Sequence, residues 1–465
     1  MRTRGQIRHR RQRIKASEAK ASIAMLVKNK SFTPVIAFIL IVLLEGMAFI
    51  HTYGPLTSPD FDLHVSSTYA LATGQSFNRM AYADDPNFPG HRQVLTGDAR
   101  ILELRGGHNS TIEGINVTSL GEDLHHEEQY EWLNNGPYRS ITVTARSNQY
   151  LFVLYIPQAI GMRLGISLGT KPSTALALSR ISNFAVYMLL IVFAIILIPR
   201  GKGLMATIGL LPVSVFCASS LMCDSLIIAF TAFFTALSFK LYEQRKQISA
   251  NGLVALTIAA VFLCLLKYAY APFVLLPLLS RFALNRRQKI AYFTLTGIIS
   301  GTITFLWQKF YAYVPRPDIY SQNKHLLISR PLQTIFRLLT NDIIVTFNKI
   351  KDTQLMMASL LLIIFVMAIT LRSINPDENR QKSMVYLTCV FIALATLTLL
   401  SLSLFLTWNQ IDDMKKSLAL QGFQMRYYYP LLPLLLSLYI YPSSTVRKQS
   451  FGQLSKLPTN SRNVA

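Results

Sequence analysis

The feature that most constrains this chain is the recurrence of long apolar runs. Several separate stretches approach or exceed roughly 18 apolar residues, the length at which a helix rising about 1.5 Å per residue spans about 30 Å of hydrocarbon. Hydrophobic residues make up 51% of the sequence and charged residues 15%, and the mean hydropathy is +0.34. A soluble domain carries nearer a quarter charged residues. The expected fold class is therefore an all-α polytopic integral membrane protein.

The formal net charge of +23 raises the question of nucleic acid, and its distribution answers it. Basic residues cluster between apolar runs, in "MRTRGQIRHRRQRIK", "PRGKG", "EQRK" and "RFALNRRQK". That is the positive-inside pattern of cytoplasmic loops, not one basic folded surface, so no nucleic-acid partner is expected. The four cysteines, Cys217, Cys223, Cys264 and Cys389, all lie in apolar segments, without disulfide or zinc spacing. The first apolar run lacks a small-residue cleavage site and reads as a signal anchor.

Residues 1–33 are expected to form a basic cytoplasmic segment and 34–53 the first crossing. Residues 54–148 form a large first extracytoplasmic loop, because this stretch holds 12 of the 23 Asp and Glu residues with six Arg and no Lys. A multi-helix membrane domain follows over 149–442, then a basic cytoplasmic tail over 443–465. Keeping every basic cluster on one side makes "YLFVLYIPQAIGMRLGISLG" a re-entrant or outer-surface helix, in keeping with its Pro157, Arg163 and three glycines. The same rule splits 253–280 into two short crossings that turn near Lys267. The predicted total is about ten transmembrane helices: 34–53, then near 179–198, 204–221, 224–242, 251–267, 270–283, 290–313, 354–371, 384–407 and 427–441. Both termini are then cytoplasmic, with the segment 314–353 lying along the outer interface.

The candidate chemistry begins at "SPDFDLHVSSTYALATGQ". Ser58 suits an N-cap, Pro59 a first helical position and Gly74 a terminator. On such a helix Asp60 and His64 share a face, while Asp62 points the other way. The plain alternative is that both acids complement the helix dipole. The predicted topology adds Asp224 at the outer start of a crossing, Lys267 at an outer turn, Arg426 at the outer end of the last crossing and Arg180 near the start of the second. Each cation could equally be a snorkelling helix-end residue. Asp60 and His64 could share a divalent cation, although two ligands alone do not define a metal site. The loop's "EDLHHEEQYE" reads as a solvated acidic stretch. Glu45, in mid-membrane, could serve function or simply bond a neighbouring helix.

In order and spacing, "PDFDLH…ALATG", "QYLFVLYIPQAIG", "SSLMCDSLIIA", "LKYAYAPFVLLPLL" and "QGFQMRYYYPLLPLL" resemble a family of predicted bacterial membrane proteins, domain of unknown function 2142. The resemblance spans roughly residues 34–441. That family in turn looks like part of the C-type glycosyltransferase superfamily, polytopic plasma-membrane enzymes that take sugars from polyprenyl-phosphate lipids. The resemblance implies a polyprenyl-phosphate-linked sugar donor, an envelope glycan or polymer acceptor and a lipid bilayer as partners. It implies Asp60 as general base with His64 beside it, and Lys267, Arg426, Asp224, Gln424 and Tyr427 as substrate-binding residues, to which the predicted topology adds Arg180. Two positions depart from the family pattern: Phe61 stands where an acid is usual, and Met425 where glycine is usual. A transporter or flippase of lipid-linked glycan precursors, and a non-catalytic envelope assembly protein, are the alternative readings.

The arrangement of basic clusters yields the first prediction. A cysteine introduced at Arg163 should react with a membrane-impermeant thiol reagent added from outside, as should cysteines at Lys267 and Arg426. Protection of position 163 until the membrane is permeabilised would overturn the re-entrant helix and the ten-crossing scheme with it.

Overall fold

The computed structural model describes residues 33–54, 58–77, 83–85, 88–93, 110–112, 115–117, 148–312, 317–338, 340, 383–408 and 424–439. Within them the chain is a helical bundle, with strands only in two small antiparallel hairpins. These pair β1 (Ala83–Asp85) with β2 (Phe88–Gln93), and β3 (Ser110–Ile112) with β4 (Ile115–Val117).

The first helix, α1 (Thr33–Thr52), buries Val35, Phe38, Val42 and Gly46 along one stripe and leaves Leu40, Leu44 and Met47 outward. A helix with apolar residues on both faces suits a protein interior on one side and lipid on the other. After it come the short α2 (Phe61–Ala72), the turn η1 (Gln75–Phe77), the turn η2 (Phe152–Tyr155) and α3 (Ile156–Ser167). Then follow α4 (Pro172–Leu197), α5 (Lys202–Gly209), α6 (Pro212–Ser219), α7 (Asp224–Glu243) and α8 (Ala250–Leu266). The 3-10 helix η3 (Tyr268–Leu279), α9 (Arg286–Phe310), α10 (Pro317–Ser329), α11 (Ser383–Trp408) and the 3-10 helix η4 (Met425–Tyr439) complete the described chain.

Among the described residues, five helices are long and apolar enough to cross a membrane: α1, α4, α7, α9 and α11. The pair α5 and α6, bent by 54° at Leu210–Leu211, makes a sixth if it counts as one span. The predicted crossings 251–267, 270–283 and 427–441 take the shorter or tighter forms α8, η3 and η4, and 354–371 lies outside the described residues. Helix α7 is the axis of the bundle. It is 83% buried over its apolar window, against 17% for α9, and it packs on α4, α6, α8, η3 and η4.

The two long 3-10 helices follow from their prolines. Pro272 and Pro277 in η3, and Pro430 and Pro433 in η4, each lack an N–H and would clash with the carbonyl four residues back in an α-helix. Both segments wind instead with three residues per turn and rise about 2.0 Å per residue, so 15 residues reach about 30 Å. Residues three apart eclipse in such a helix, and the burial agrees. Tyr427, Pro430, Pro433 and Leu436 are all buried, as are Tyr270, Phe273 and Leu276. The segments also share a sequence plan, a cation, then Tyr-x-Tyr, then Leu-Leu-Pro-Leu-Leu, and the Tyr270 hydroxyl ties them together by donating to the Tyr427 carbonyl at 3.0 Å.

Two sequence expectations shift. The second crossing starts at Pro172, so Arg180 lies two turns inside α4 and not at its mouth. Helix α2 starts at Phe61, two residues later than its Ser-Pro signal suggests, with Asp60 as the cap. It ends as expected, at Gly74 with φ +82.

Helix α3 lies against α4, and its glycines explain how. A Cβ at Gly161 would run into the Leu178 carbonyl, and one at Gly165 would press on Ala175. Glycines four apart let two backbones approach in the manner of small-residue membrane contacts. Gly161→Val should therefore lower thermal stability in detergent by about 1–3 kcal/mol, the usual cost of overpacking. Gly297, in α9 with open space around it, is the control. Gly297→Ala should be neutral or stabilising by up to about 1 kcal/mol, and equal effects at both positions would refute the packing account.

Candidate functional site

At one end of the bundle three elements bring charge together. Asp224 opens α7, where its carboxylate also faces the positive end of the helix dipole. Arg426 opens η4 and sets its Nε 2.9 Å from Asp224 Oδ2, with the Arg side chain 6% and the Asp side chain 10% exposed. The other arm of Arg426 points to Asp60 Oδ2 at 3.8 Å, and the Asp60 side chain is 47% exposed. Arg426 is thus anchored to one acid and only loosely linked to the other.

Lys267 sits in the break between α8 and η3, where its extended backbone, φ −161 and ψ 118, ends the helix. Its Nζ lies 4.2 Å from the centre of the Tyr427 ring, whose surroundings also include the Arg426 guanidinium at 5.8 Å. Among the described residues Lys267 forms no ion pair. The tally for the four groups is two cations and two carboxylates, so an incoming anion would meet a balanced site with one cation uncommitted.

Asp60 is unusual in its backbone. Its φ of 55 and ψ of 31 put it in the left-handed region, as the one non-glycine with positive φ among the described residues. A conformation of this kind is sparsely populated outside glycine, though Asp and Asn tolerate it best. Such strain of order 1 kcal/mol persists where the surroundings impose it, often at functional positions. Asp60 is thus outside the helix that the spacing argument placed it on, and its carbonyl accepts the His64 N–H at 3.1 Å to close the first turn. His64 is buried with its Nδ1 3.2 Å from the Tyr155 hydroxyl. The side chains of Phe61, Asp62 and Met425 lie outside the described set.

A polar space of about 10 Å³, room for about one water, is enclosed here by Asp60, His64, Cys223, Asp224, Lys267 and Arg426, among others. Beside it opens a cavity of about 740 Å³, within the range of roughly 300–1,000 Å³ of small-molecule sites. Asp60, Lys267, Tyr150 and Tyr427 line both spaces, and Gln424 lines the larger. Burial, with Tyr427, Cys223, Asp224 and Asp60 nearby, holds the Tyr150 phenol well above its usual range, so it stays a neutral hydroxyl. No group of three or more His, Cys, Asp and Glu gathers to hold a metal among the described residues. The "EDLHHEEQYE" stretch lies outside them.

Of the sequence candidates, Asp60, His64, Asp224, Lys267, Arg426, Gln424 and Tyr427 come together. Arg180 does not line either space. It donates Nε to the Ser219 carbonyl at 2.7 Å and a terminal nitrogen to the Tyr53 carbonyl at 3.0 Å. A cation thus caps the carbonyl ends of α6 and α1 at once. Sequence reasoning missed its neighbour Asn183, which donates to the Ser220 and Ala218 carbonyls at 3.0 and 3.1 Å and accepts from Ser225 Oγ at 2.9 Å. It also missed Gln158, which donates to the Met222 carbonyl at 3.2 Å and whose own carbonyl accepts from Ser179 Oγ at 2.6 Å. These side chains grip the link 219–223 that delivers Asp224. The available signal was polar residues inside "QYLFVLYIPQAIG" and "SRISN", segments otherwise apolar enough to bury.

A family model described as a predicted membrane protein (DUF2142) matches residues 43–435 of the chain. No curated protein matches it, and no solved structure does.

Removing one partner of a buried ion pair strands the other, at a typical cost of about 3–5 kcal/mol. Asp224→Asn should lower the thermal midpoint in nanodiscs sharply, and a second change, Arg426→Gln, should restore part of the loss. Lys267→Gln should shift stability by less than about 1 kcal/mol, since no ion pair is broken. A mild Asp224→Asn, or no recovery in the double variant, would refute the coupling.

Proposed function

Since the chain belongs to the DUF2142 family of predicted membrane proteins, we propose that it is a membrane glycosyltransferase that moves a sugar from a polyprenyl-phosphate donor to an acceptor of the cell envelope. The observation that carries this reading is the junction of the 740 Å³ cavity with the Asp60–Arg426–Asp224 chain and Lys267. It offers a half-exposed carboxylate beside two cations, at one end of an apolar bundle. On the topology argued from sequence, that end is the outer face, where a lipid-linked sugar presents its phosphate.

In this reading Lys267 and Arg426 bind the phosphate oxygens. Asp224 holds the Arg426 guanidinium in place, so its charge is oriented before the ligand arrives. Developing charge on a leaving phosphate is stabilised most by donors already aimed at it. Asp60 is the general base. It takes the proton of the acceptor hydroxyl as that oxygen attacks the anomeric carbon and the bond from that carbon to the phosphate oxygen breaks. A phosphate between the cations would also draw Arg426 away from Asp60, and the 3.8 Å separation leaves little interaction to lose. His64, held by Tyr155, settles the turn that carries Asp60.

A transporter or flippase would draw on the broken segments, the 54° bend in α5–α6 and the two 3-10 helices. Discontinuous helices of transporters bring their binding groups to the middle of the bilayer. Here the breaks at Lys267 and before Arg426 bring charge to one end, which favours transfer.

The test is genetic and chemical together. Cells lacking the protein should accumulate a particular prenyl-phosphate sugar, and wild type should clear it. Asp60→Asn at equal protein level should slow clearance by at least the roughly 10²-fold typical of a lost general base. Asp62→Asn should cost far less. If the loss falls on Asp62→Asn instead, the base is two residues away, and if both variants clear the sugar at the wild-type rate the reading is wrong.

A further inference from the structure

The 740 Å³ cavity has a second character away from its charged end. Thr304, Trp307 and Gln308 stand on one face of α9, at positions i, i+3 and i+4, and all three line it. Ser403 and Thr407 line it from one face of α11, and Tyr320 from α10. Helices α9 and α11 are otherwise apolar enough to span a membrane, where a hydroxyl or amide gains nothing from facing lipid. Three residues of α9 and two of α11 that carry hydrogen-bonding groups stand on the cavity wall. None of these six carries a charge; among the cavity's lining residues the charges belong to Asp60 and Lys267.

Trp307 adds a second observation. It is 5% exposed, yet its indole Nε1 has no hydrogen-bond partner among the described residues. Gln149 Oε1, on another lining residue, is likewise buried without one among them. Buried polar groups are nearly always paired, and these two, a donor and an acceptor, both belong to residues that line the cavity. The Trp307 ring itself is fixed in place, stacked on Tyr311 at 5.3 Å and tilted against Phe152 at 5.5 Å.

We propose that this wall is a subsite for a neutral saccharide. Its hydroxyl, amide and indole groups match uncharged hydroxyls, and its apolar patches match the C–H face of a sugar ring. The subsite itself stands on the cavity wall; only its role in transfer rests on the glycosyltransferase reading. The saccharide has two possible sources, the donor's sugar or the acceptor glycan.

Trp307 supplies the reporter. With Trp132→Phe and Trp408→Phe it is the one tryptophan left of three. The full chain in phosphatidylcholine nanodiscs would be titrated with cellohexaose, chitohexaose and maltohexaose, and separately with undecaprenyl phosphate. At least one oligosaccharide should change the Trp307 emission saturably. Gln308→Leu combined with Ser403→Ala should weaken that response roughly tenfold, as expected for two lost hydrogen bonds, and leave prenyl-phosphate binding unchanged. Lys267→Gln should do the reverse. Pre-saturation with a prenyl-phosphate hexose separates the sources: competition assigns the wall to the donor's sugar, and joint binding assigns it to the acceptor. Silence towards all three oligosaccharides, a response that the double variant leaves intact, or a response to prenyl phosphate alone would overturn the subsite. Saccharide binding without any prenyl-phosphate binding would uphold the subsite and count against the transferase.

Discussion

Taking a charge out of water costs several kcal/mol unless a counter-charge or a set of hydrogen bonds meets it. In a chain this apolar, that cost organises the architecture. Arg426 is buried, and its partner Asp224 at 2.9 Å is nearly so. Asp224 can stand there because the link before it, 219–223, is gripped by Arg180, Asn183 and Gln158. Those three side chains come from α3 and α4, which pack closely through Gly161 and Gly165. The pair at the site is therefore the last member of a series of polar contacts that begins where α3 and α4 pack closely.

The 3-10 segments gain length from their winding. As an α-helix, 12 residues would extend about 18 Å. Wound with three residues per turn they extend about 24 Å. The repeated plan of a cation, Tyr-x-Tyr and Leu-Leu-Pro-Leu-Leu places Lys267 and Arg426 at the start of two similar rods tied by Tyr270. Both rods pack on α7, the helix that carries Asp224. Two cations consequently arrive near one acid, although they lie far apart in the chain.

Much of this was legible in the sequence, for identifiable reasons. Apolar run length gave the membrane class and most helices because hydrocarbon thickness sets that scale. The break at Lys267 was legible because the basic flanks of 253–280 could not both be satisfied by one crossing. Seven candidate site residues converge because each is a polar residue at the end of an apolar run, a placement that local pattern records. Arg180 also fitted that pattern, yet it caps helix carbonyls. Whether a cation faces a ligand or a backbone depends on the neighbouring helix ends, which no local window contains. Asn183 and Gln158 escaped notice for the same reason. The helix start at Phe61 escaped because Ser58 and Pro59 form a good local start signal, and the backbone turns at Asp60 instead.

That turn bears on how the site can be dissected. A left-handed backbone costs most residues of order 1 kcal/mol or more, while asparagine tolerates it about as well as aspartate. An alanine at position 60 would remove the carboxylate and also strain the turn whose carbonyl accepts the His64 N–H. Loss of function in such a variant would not separate charge from geometry. Asparagine keeps the turn, the size and the link to His64, and removes the negative charge alone. The weak link to Arg426 at 3.8 Å, from a half-exposed side chain, means that little stability goes with that charge. Position 60 is thus a place where the chemistry of one carboxylate can be read apart from the fold, because what holds Asp60 in place is its backbone and not its ion pair.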